Sequence, residues 1–554
     1  MITRMRFLGL LLLSVPLLAG DVTTRFDLTY NRLLGGGPPR FDAAFVLADV
    51  QPQNTRRFTE FSGDLSGRYI GALALASQVR GVEIPQLDAV VSRLLRLQKP
   101  DGHFGDPLST AGAVTDSDMA IMWGNGRLLI GLMEYYRFHP RPDVLAVARK
   151  IGDFLAGAAP LYNSEAVRQV YNGEKFAVGY ICWTQNIEGL VALWRATRDD
   201  RYLALARSMA DRTDRHPSQH SHGFLTSLRG ILDLYRATGE RKYLDQVARE
   251  WQSLMLSGNV MLQGAVPEMF APSIERDEGC SEADWLRLSL ELWRQTGDPK
   301  YLAQAQRTLF NEFSMNQFST GDFGHHTLTA NGIGPPFARA WWCCTMHGLR
   351  AFAAIFGSVM MERGGKLWLD LPVDGGGKAG GLAVRVESSL ERDGSVKLIV
   401  TAADGEPHTI AVRKPEWASA VSATEFTRVW KKGDSVTVKY EMTTRAVVRR
   451  SKEQTEVAVL YGPWLLGVDM ETSPTYFDEP SAENRVSLPA AGPITLQPAR
   501  DGHFAHFRVR YLPGGYPMQP QYALLRPIAE YTRGPANNRV EWWLPVGREA
   551  APGR

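Results

Sequence analysis

Cysteine is scarce in this chain, with four among 554 residues. That excludes a disulfide scaffold, which small exported domains use in place of a core; a chain of this length buries a large core and has room for more than one domain. Charge of one sign is missing too. The 62 Lys and Arg against 59 Asp and Glu leave a net charge of +3. No basic field is available to follow nucleic-acid phosphates, and no acidic tail to buffer cations. Low-complexity segments are absent. The glycine runs at 35–37 and 375–377 lack the strand-to-helix setting of a phosphate-binding loop.

Long apolar runs are lacking everywhere except at the start, which reads "MITRMRFLGLLLLSVPLLAG". Arg4 and Arg6 precede the apolar run 7–13, and Ala19 and Gly20 follow. This order of charge, apolar stretch and small residues is that of a secretory signal, so 1–20 is expected to be a cleaved signal peptide and the protein periplasmic or secreted. The run is short for a membrane span, and no other stretch is long and apolar enough, so none is expected after cleavage.

What is present is a repeated pattern: "YYRFHPRPDVL" from Tyr135, "LWRATRDDRYL" from Leu193, "LYRATGERKYL" from Leu234 and "LWRQTGDPKYL" from Leu292. Apolar residues recur at helical spacing on both sides of each turn. The Gly-acidic pairs in two of the turns are helix stop and start signals. These are helical hairpins in tandem. "RYIGALALASQV" with the segment after it reads as an earlier pair, and "WCCTMHGLRAFAAIFGSVMM" as a late helix. The uneven spacing argues against a strict solenoid, and about six such hairpins suggest a closed (α/α)6 barrel over 21–365, with a cleft among its inner helices. Beyond that, "GSVKLIVTA", "HTIAVRKP" and "DSVTVKYEM" alternate with period two between turn residues, which predicts an antiparallel β-sandwich region over 366–554. "VAVLYGPWLLGVD" reads as one buried strand and "GGGKAGG" as a flexible loop.

Two of the four cysteines are neighbours, Cys343 and Cys344, in "ARAWWCCTMHG". Adjacent cysteines bond each other only through a strained ring, so two disulfides would need Cys182 and Cys280 as distant partners. A second reading starts from "ERDEGCSEADW", where Glu278 and Cys280 precede a helix. One carboxylate and three thiols fit tetrahedral Zn2+ in ligand type and number. A third reading makes Cys280, Cys343 and Cys344 merely buried thiols. Cys182 reads as a core thiol. If zinc is present, a zinc-held thiolate could attack an anomeric carbon while a carboxylic acid protonates the departing oxygen.

Glu-x-Cys, a later Cys-Cys at a helix start, a barrel of hairpins and a β-sandwich tail together resemble glycoside hydrolase family 127, the β-L-arabinofuranosidases. The resemblance implies an exported, zinc-dependent retaining glycosidase acting on a glycan. It implies Cys343 as nucleophile and ligand, with Glu278, Cys280 and Cys344 as further zinc ligands. It also implies an acid/base glutamate in a Gly-Glu-x-Phe context, a place taken here by Glu268 in "PEMF", with Pro267 for the glycine and Glu275 as runner-up. The family carries Gly-His at the starts of inner helices, where imidazoles contact the sugar. Here His222 keeps that feature, and Arg127 stands where another histidine is expected. Trp123, Asn125, Gln185, His325 and His326 complete the expected substrate-binding set, and His347 either faces the cleft or backs the metal. Arg127 would suit an acidic sugar. Polysaccharide lyases and uronide hydrolases share such barrels without a thiol cluster, and a carbohydrate-binding protein with a structural zinc is a non-catalytic alternative.

Overall fold

The computed structural model describes residues 21–51, 58–109, 113–172, 177–270, 276–452, 454–469, 488, 496–511, 521–531 and 539–546. The expected signal peptide, 1–20, and Glu275 lie outside the described residues. In chain order the main helices are α1 (Val22–Leu34), α2 (Asp64–Arg80), α3 (Pro85–Leu94), α4 (Asp116–Phe138), α5 (Pro142–Tyr162), α6 (Ile187–Thr197), α7 (Asp200–Ala210), α8 (Ser221–Thr238), α9 (Arg241–Leu256), α10 (Gly279–Thr296), α11 (Pro299–Arg307) and α12 (Trp342–Phe356). Helices α2, α4, α6, α8, α10 and α12 each touch the next, and α12 closes back on α2. The even-numbered helices are therefore the inner ring of an (α/α)6 barrel. The others form the outer ring, with α1 supplying the outer partner of α12 through Phe26, which meets Phe352 and Phe356 edge-on.

Sequence sorts the two rings. Outer helix α9 buries one stripe, Tyr243, Leu244, Val247, Trp251 and Leu254, and exposes the rest. Inner helix α10 is buried on nearly every side, with polar residues that find partners inside the barrel. The repeated turns share one device. Thr197, Thr238 and Thr296 each donate a hydroxyl hydrogen bond to the carbonyl four residues back at 2.7–2.8 Å. The same hydroxyls accept from the N–H groups of Asp199, Glu240 and Asp298, which begin the outer helices. Gly239 and Gly297 close their helices at φ 72° and 68°, where glycine is unstrained.

The strands begin inside the helical half. β1 (Gly324–Leu328) and β2 (Gly332–Ala340) form a hairpin that joins a sheet with strands of the far C-terminal segment through Val540 and Glu541. A five-stranded antiparallel sheet runs from 375 to 442. A four-stranded sheet packs into the same core and contains one parallel pair, Lys366–Leu369 with Pro407–Val412. Two expectations change. "VAVLYGPWLLGVD" is two antiparallel strands rather than one, because Gly462 at φ 54° turns the chain and pairs Tyr461 with Trp464. "GGGKAGG" is an edge strand, Gly375–Ala379, rather than a loop. Its glycines allow close approach, since a Cβ on Gly377 would lie 2.6 Å from the Met360 Cβ.

Helices α2 and α4 meet along a glycine seam. A Cβ on Gly131 would lie 2.1 Å from the Gly67 carbonyl oxygen, and one on Gly67 would lie 2.4 Å from that of Arg127. Replacing a helical glycine by alanine contributes about 1 kcal/mol of propensity, but a backbone oxygen cannot rotate away, and forced overpacking costs typically about 1–3 kcal/mol. Gly131→Ala is expected to lower the thermal midpoint; an unchanged or raised midpoint in calorimetry would show that the seam has slack.

Candidate active site

The N-terminal turns of the inner helices converge. Glu278 caps α10, with Gly279 and Cys280 next; Trp341 caps α12, with Trp342, Cys343 and Cys344 next. Gly279 lets the two helix starts touch, since a Cβ there would lie 3.0 Å from the Cys344 Cβ and 2.7 Å from the Asn316 side-chain oxygen. As a result Glu278, Cys280, Cys343 and Cys344 each bring a ligand atom within 4.8 Å of the others. The Cys280 and Cys344 sulfurs are 3.7 Å apart and those of Cys343 and Cys344 3.9 Å, and all four cysteines are free thiols. The double disulfide is therefore not formed, because a disulfide needs about 2.05 Å. Three thiols and a carboxylate gathered this way could hold a metal ion, and the soft donors match zinc's preferences. Cys182 is buried away from them, donating to the Ala177 carbonyl.

The cluster is uneven. Cys280 and Cys344 are buried, whereas Cys343 is partly exposed. Burial pushes the Cys280 and Cys344 thiols well up. Hydrogen bonds from those two thiols, aided by the Arg68 charge, hold the Cys343 thiol well below the usual range against its own burial. Helix starts favour a thiolate further. Arg68 of α2 is the cation behind the cluster. Its guanidinium lies 3.4 Å from the Cys280 sulfur, 2.9 Å from His347 Nδ1 and 2.7 Å from Asp64, which also accepts from the Trp123 indole at 2.9 Å.

Glu278 is shared with a second group. Its carboxylate accepts from Ser281 at 2.8 Å and lies 3.0 Å from His220 Nε2. Burial alone would raise the Glu278 carboxyl, but the His220 charge and hydrogen bond outweigh it and hold the group well below the carboxylate range. His220 stacks on Trp123 with ring centroids 5.7 Å apart. His220, Glu268 and Glu278 also gather within 4.8 Å. Glu268 is 7% exposed; its backbone carbonyl accepts from the Ser221 N–H, and its carboxylate pairs with Arg276, which faces solvent. Glu278 thus links the thiols to the expected acid/base.

The expected substrate residues divide. His325 and His326 come to the site on β1: Asp277 accepts from the His326 N–H and lies 2.9 Å from its Nδ1, and the Asp277 carbonyl lies 2.7 Å from His325 Nδ1. Trp123 lines the same region with 3% exposure. His222, Arg127, Asn125 and Gln185 are buried behind it. His222 lies between Asp284 at 2.7 Å and Arg127 at 2.9 Å, which occupies both ring nitrogens; desolvation and the Arg127 and Arg68 charges push it down to about 3, so it stays neutral. Arg127 is 1% exposed; its Nη2, which faces His222, also donates to Thr226 at 3.0 Å. Asn125 bonds the backbone of Phe104 and Ile121, and Gln185 that of Trp123. His347 is fully buried behind the thiols.

Sequence reasoning passed over Arg68, His220, Asp277 and Asp284. Two signals were available: an arginine in the first turns of the small, apolar α2, and the first histidine of "HSHG". Asp284 matters only through contacts with a neighbouring inner helix, and Asp277 through contacts with the β1–β2 hairpin.

In chelator-treated protein Cys343 is expected to alkylate first with iodoacetamide. An ordinary thiol, with a pKa of about 8.5, loses reactivity tenfold per pH unit below that value. Cys343, its pKa held down, keeps its rate toward lower pH, and Arg68→Met moves the profile up. Peptide mass spectrometry that finds Cys182 labelled ahead of Cys343 would overturn this ordering.

Comparison with known proteins agrees with the geometry. No curated protein sequence matches the chain. A solved GH127 β-arabinofuranosidase superposes with a TM-score of 0.70 at 18% identity, covering 96% of this chain and 94% of that one. A GH127 β-L-arabinofuranosidase from Geobacillus stearothermophilus T6 gives 0.69 at 14%, covering 95% and 99%. A further glycoside hydrolase gives 0.64 at 17%, covering 92% and 99%. These likenesses show the fold. The pattern of the β-L-arabinofuranosidase GH127 catalytic domain matches residues 40–356, and on that match the chain belongs to the GH127 β-L-arabinofuranosidase family and is a glycoside hydrolase acting on the glycosidic bonds of glycans.

Proposed function

We propose that the protein is an exported, zinc-dependent retaining glycosidase that releases a β-L-arabinofuranose-type residue from a glycan, with Cys343 as nucleophile and Glu268 as acid/base. The observation that carries this reading is the meeting of Glu278, Cys280, Cys343 and Cys344 within 4.8 Å, with Cys343 alone partly exposed. Those four residues would hold the ion. Zinc, when bound, would keep its thiols deprotonated at neutral pH. Export rests on the order of charged, apolar and small residues in 1–20. No described helix is long and apolar enough to cross a membrane.

In the first step the Cys343 thiolate attacks the anomeric carbon, a C–S bond forms, the glycosidic C–O bond breaks and Glu268 gives its proton to the departing oxygen. In the second, Glu268 takes a proton from water, the water oxygen bonds to the anomeric carbon, and the thiolate leaves. Two inversions give net retention. Arg68 stabilises the departing thiolate by charge, and His220 and Ser281 hold the Glu278 carboxylate in place. His325, His326 and Trp123 contact the sugar, oriented by Asp277 and Asp64. A lyase or uronide hydrolase on the same barrel would have no use for the thiol cluster.

The two adjacent cysteines are expected to differ. Cys343→Ser abolishes turnover and leaves the fold intact, with partial zinc occupancy. Cys344→Ser loses zinc and stability together. Elemental analysis of the wild type should return one zinc per chain more than Cys344→Ser, and a cyclophellitol-type epoxide should label Cys343 alone. An adduct mapped to Glu268 or Glu278 rejects the sulfur mechanism even with zinc present.

General acid help contributes about 10²–10⁴-fold, and an activated leaving group needs little of it. Glu268→Gln is therefore expected to lose that factor on alkyl or glycan substrates and far less on aryl glycosides. Equal losses on both would make Glu268 a binding residue, and no loss on either would move the role to Glu275.

A further inference from the structure

A second set of metal-type ligands lies outside the barrel, in the C-terminal segment "DGHFAH". Asp501, His503 and His506 each bring a ligand atom within 4.8 Å of the others. Gly502, at φ 76°, turns the chain between the first two. Asp501 Oδ1 accepts from the His503 N–H at 3.1 Å, and the His503 carbonyl accepts from the His506 N–H at 3.2 Å. This turn folds the two imidazoles together, with ring centroids 4.4 Å apart and planes 28° from parallel. Asp501 Oδ2 lies 2.7 Å from His506 Nδ1. The other ring nitrogen, Nε2, lies 2.6 Å from the carboxylate of Glu530, which is 7% exposed. A carboxylate on the far nitrogen of an imidazole is the usual support of a metal-binding histidine, because it fixes which nitrogen faces the ion. Asp501 and His503 are exposed, so a hydrated ion can reach them, while His506 is buried and pre-set.

We propose that Asp501, His503 and His506 form a binding site for a divalent transition ion of the zinc class, with Glu530 orienting His506. Two imidazoles and one carboxylate suit Zn2+, Ni2+ or Cu2+ and not Ca2+ or Mg2+, which take oxygen ligands. Bonds form from Asp501, from a ring nitrogen of His503 and from His506 Nδ1. The Asp501–His506 hydrogen bond breaks, and a proton on Nδ1 passes to solvent. No electron transfer is involved. The site does not depend on the thiol cluster, and its role is structural. Glu530 ends a helical turn, 528–530, whose Ala529 carbonyl accepts from Arg25 of α1 at 3.2 Å. An ion here would tie the 501–506 turn through that turn to the outer ring of the barrel.

The test uses the full chain already loaded with zinc at its thiols, dialysed against buffered free Zn2+ and compared with His503→Ala, whose lost side chain is exposed. The wild type is expected to retain one more zinc per chain than the variant. Added Zn2+ should raise the thermal midpoint of the wild type only, and both should hydrolyse glycosides equally. Asp501→Asn is a second variant that should behave as His503→Ala does. Glu530→Gln should weaken zinc binding about 10–100-fold while keeping the stoichiometry. Equal zinc content and equal midpoint shifts in wild type and both ligand variants would overturn the site and leave Asp501, His506 and Glu530 as a hydrogen-bonded clamp. Unchanged affinity in Glu530→Gln would remove its orienting role.

Discussion

The candidate active site depends on one close approach, that of the first turns of α10 and α12. Gly279 makes it possible, because any side chain there would meet Cys344 and Asn316. Once the two helix starts touch, Cys280 and Cys344 fall at 3.7 Å, and Cys343, one residue earlier, points to the partly exposed side of the same cluster. Adjacent cysteines thus receive different surroundings from the helix itself. Successive residues on a helix do not share a face, so one thiol turns into the core and the other toward the cleft.

Gathering thiols and carboxylates in a buried place is unfavourable unless cations accompany them. The barrel supplies these from every side: Arg68 from α2 behind the sulfurs, and His220 before α8 against Glu278. A deeper layer continues the alternation. Asp284 receives Arg229 and His222, and Glu188 receives Arg229, all of them buried. Beside its apolar contacts the inner ring therefore holds a fixed array of charges, framed by the glycine seam of α2 and α4 and by the outer ring of amphipathic helices. Preorganised charge of this kind is what a developing transition state uses, since it requires no reorientation when the reaction occurs.

The β-rich half contributes to the barrel mouth as well as to mass. The β1–β2 hairpin leaves the helical chain, joins a C-terminal strand at Val540 and Glu541, and carries His325 and His326 to Asp277 beside Glu278. A sheet anchored at its far end holds these imidazoles more firmly than a free loop would.

Much of this was legible in the chain itself. Helical spacing, the Thr-Gly-acidic turns and the period-two strands arise from local backbone preferences, so they gave the barrel and the sheets. The thiols and Glu278 were legible because their residue types carry chemistry and sit beside helix starts. Sequence by itself could not sort a glycine-rich edge strand from a loop, since pairing with a neighbour decides that. Nor could it say that His222, Arg127, Asn125 and Gln185 sit behind the site, or that Arg68 and His220 sit in it. A helical residue's neighbours across a closed ring come from chain segments dozens to hundreds of positions away. Which polar atoms are spent inside the protein and which are left for a sugar is fixed only when the ring closes, and that decision belonged to the tertiary structure.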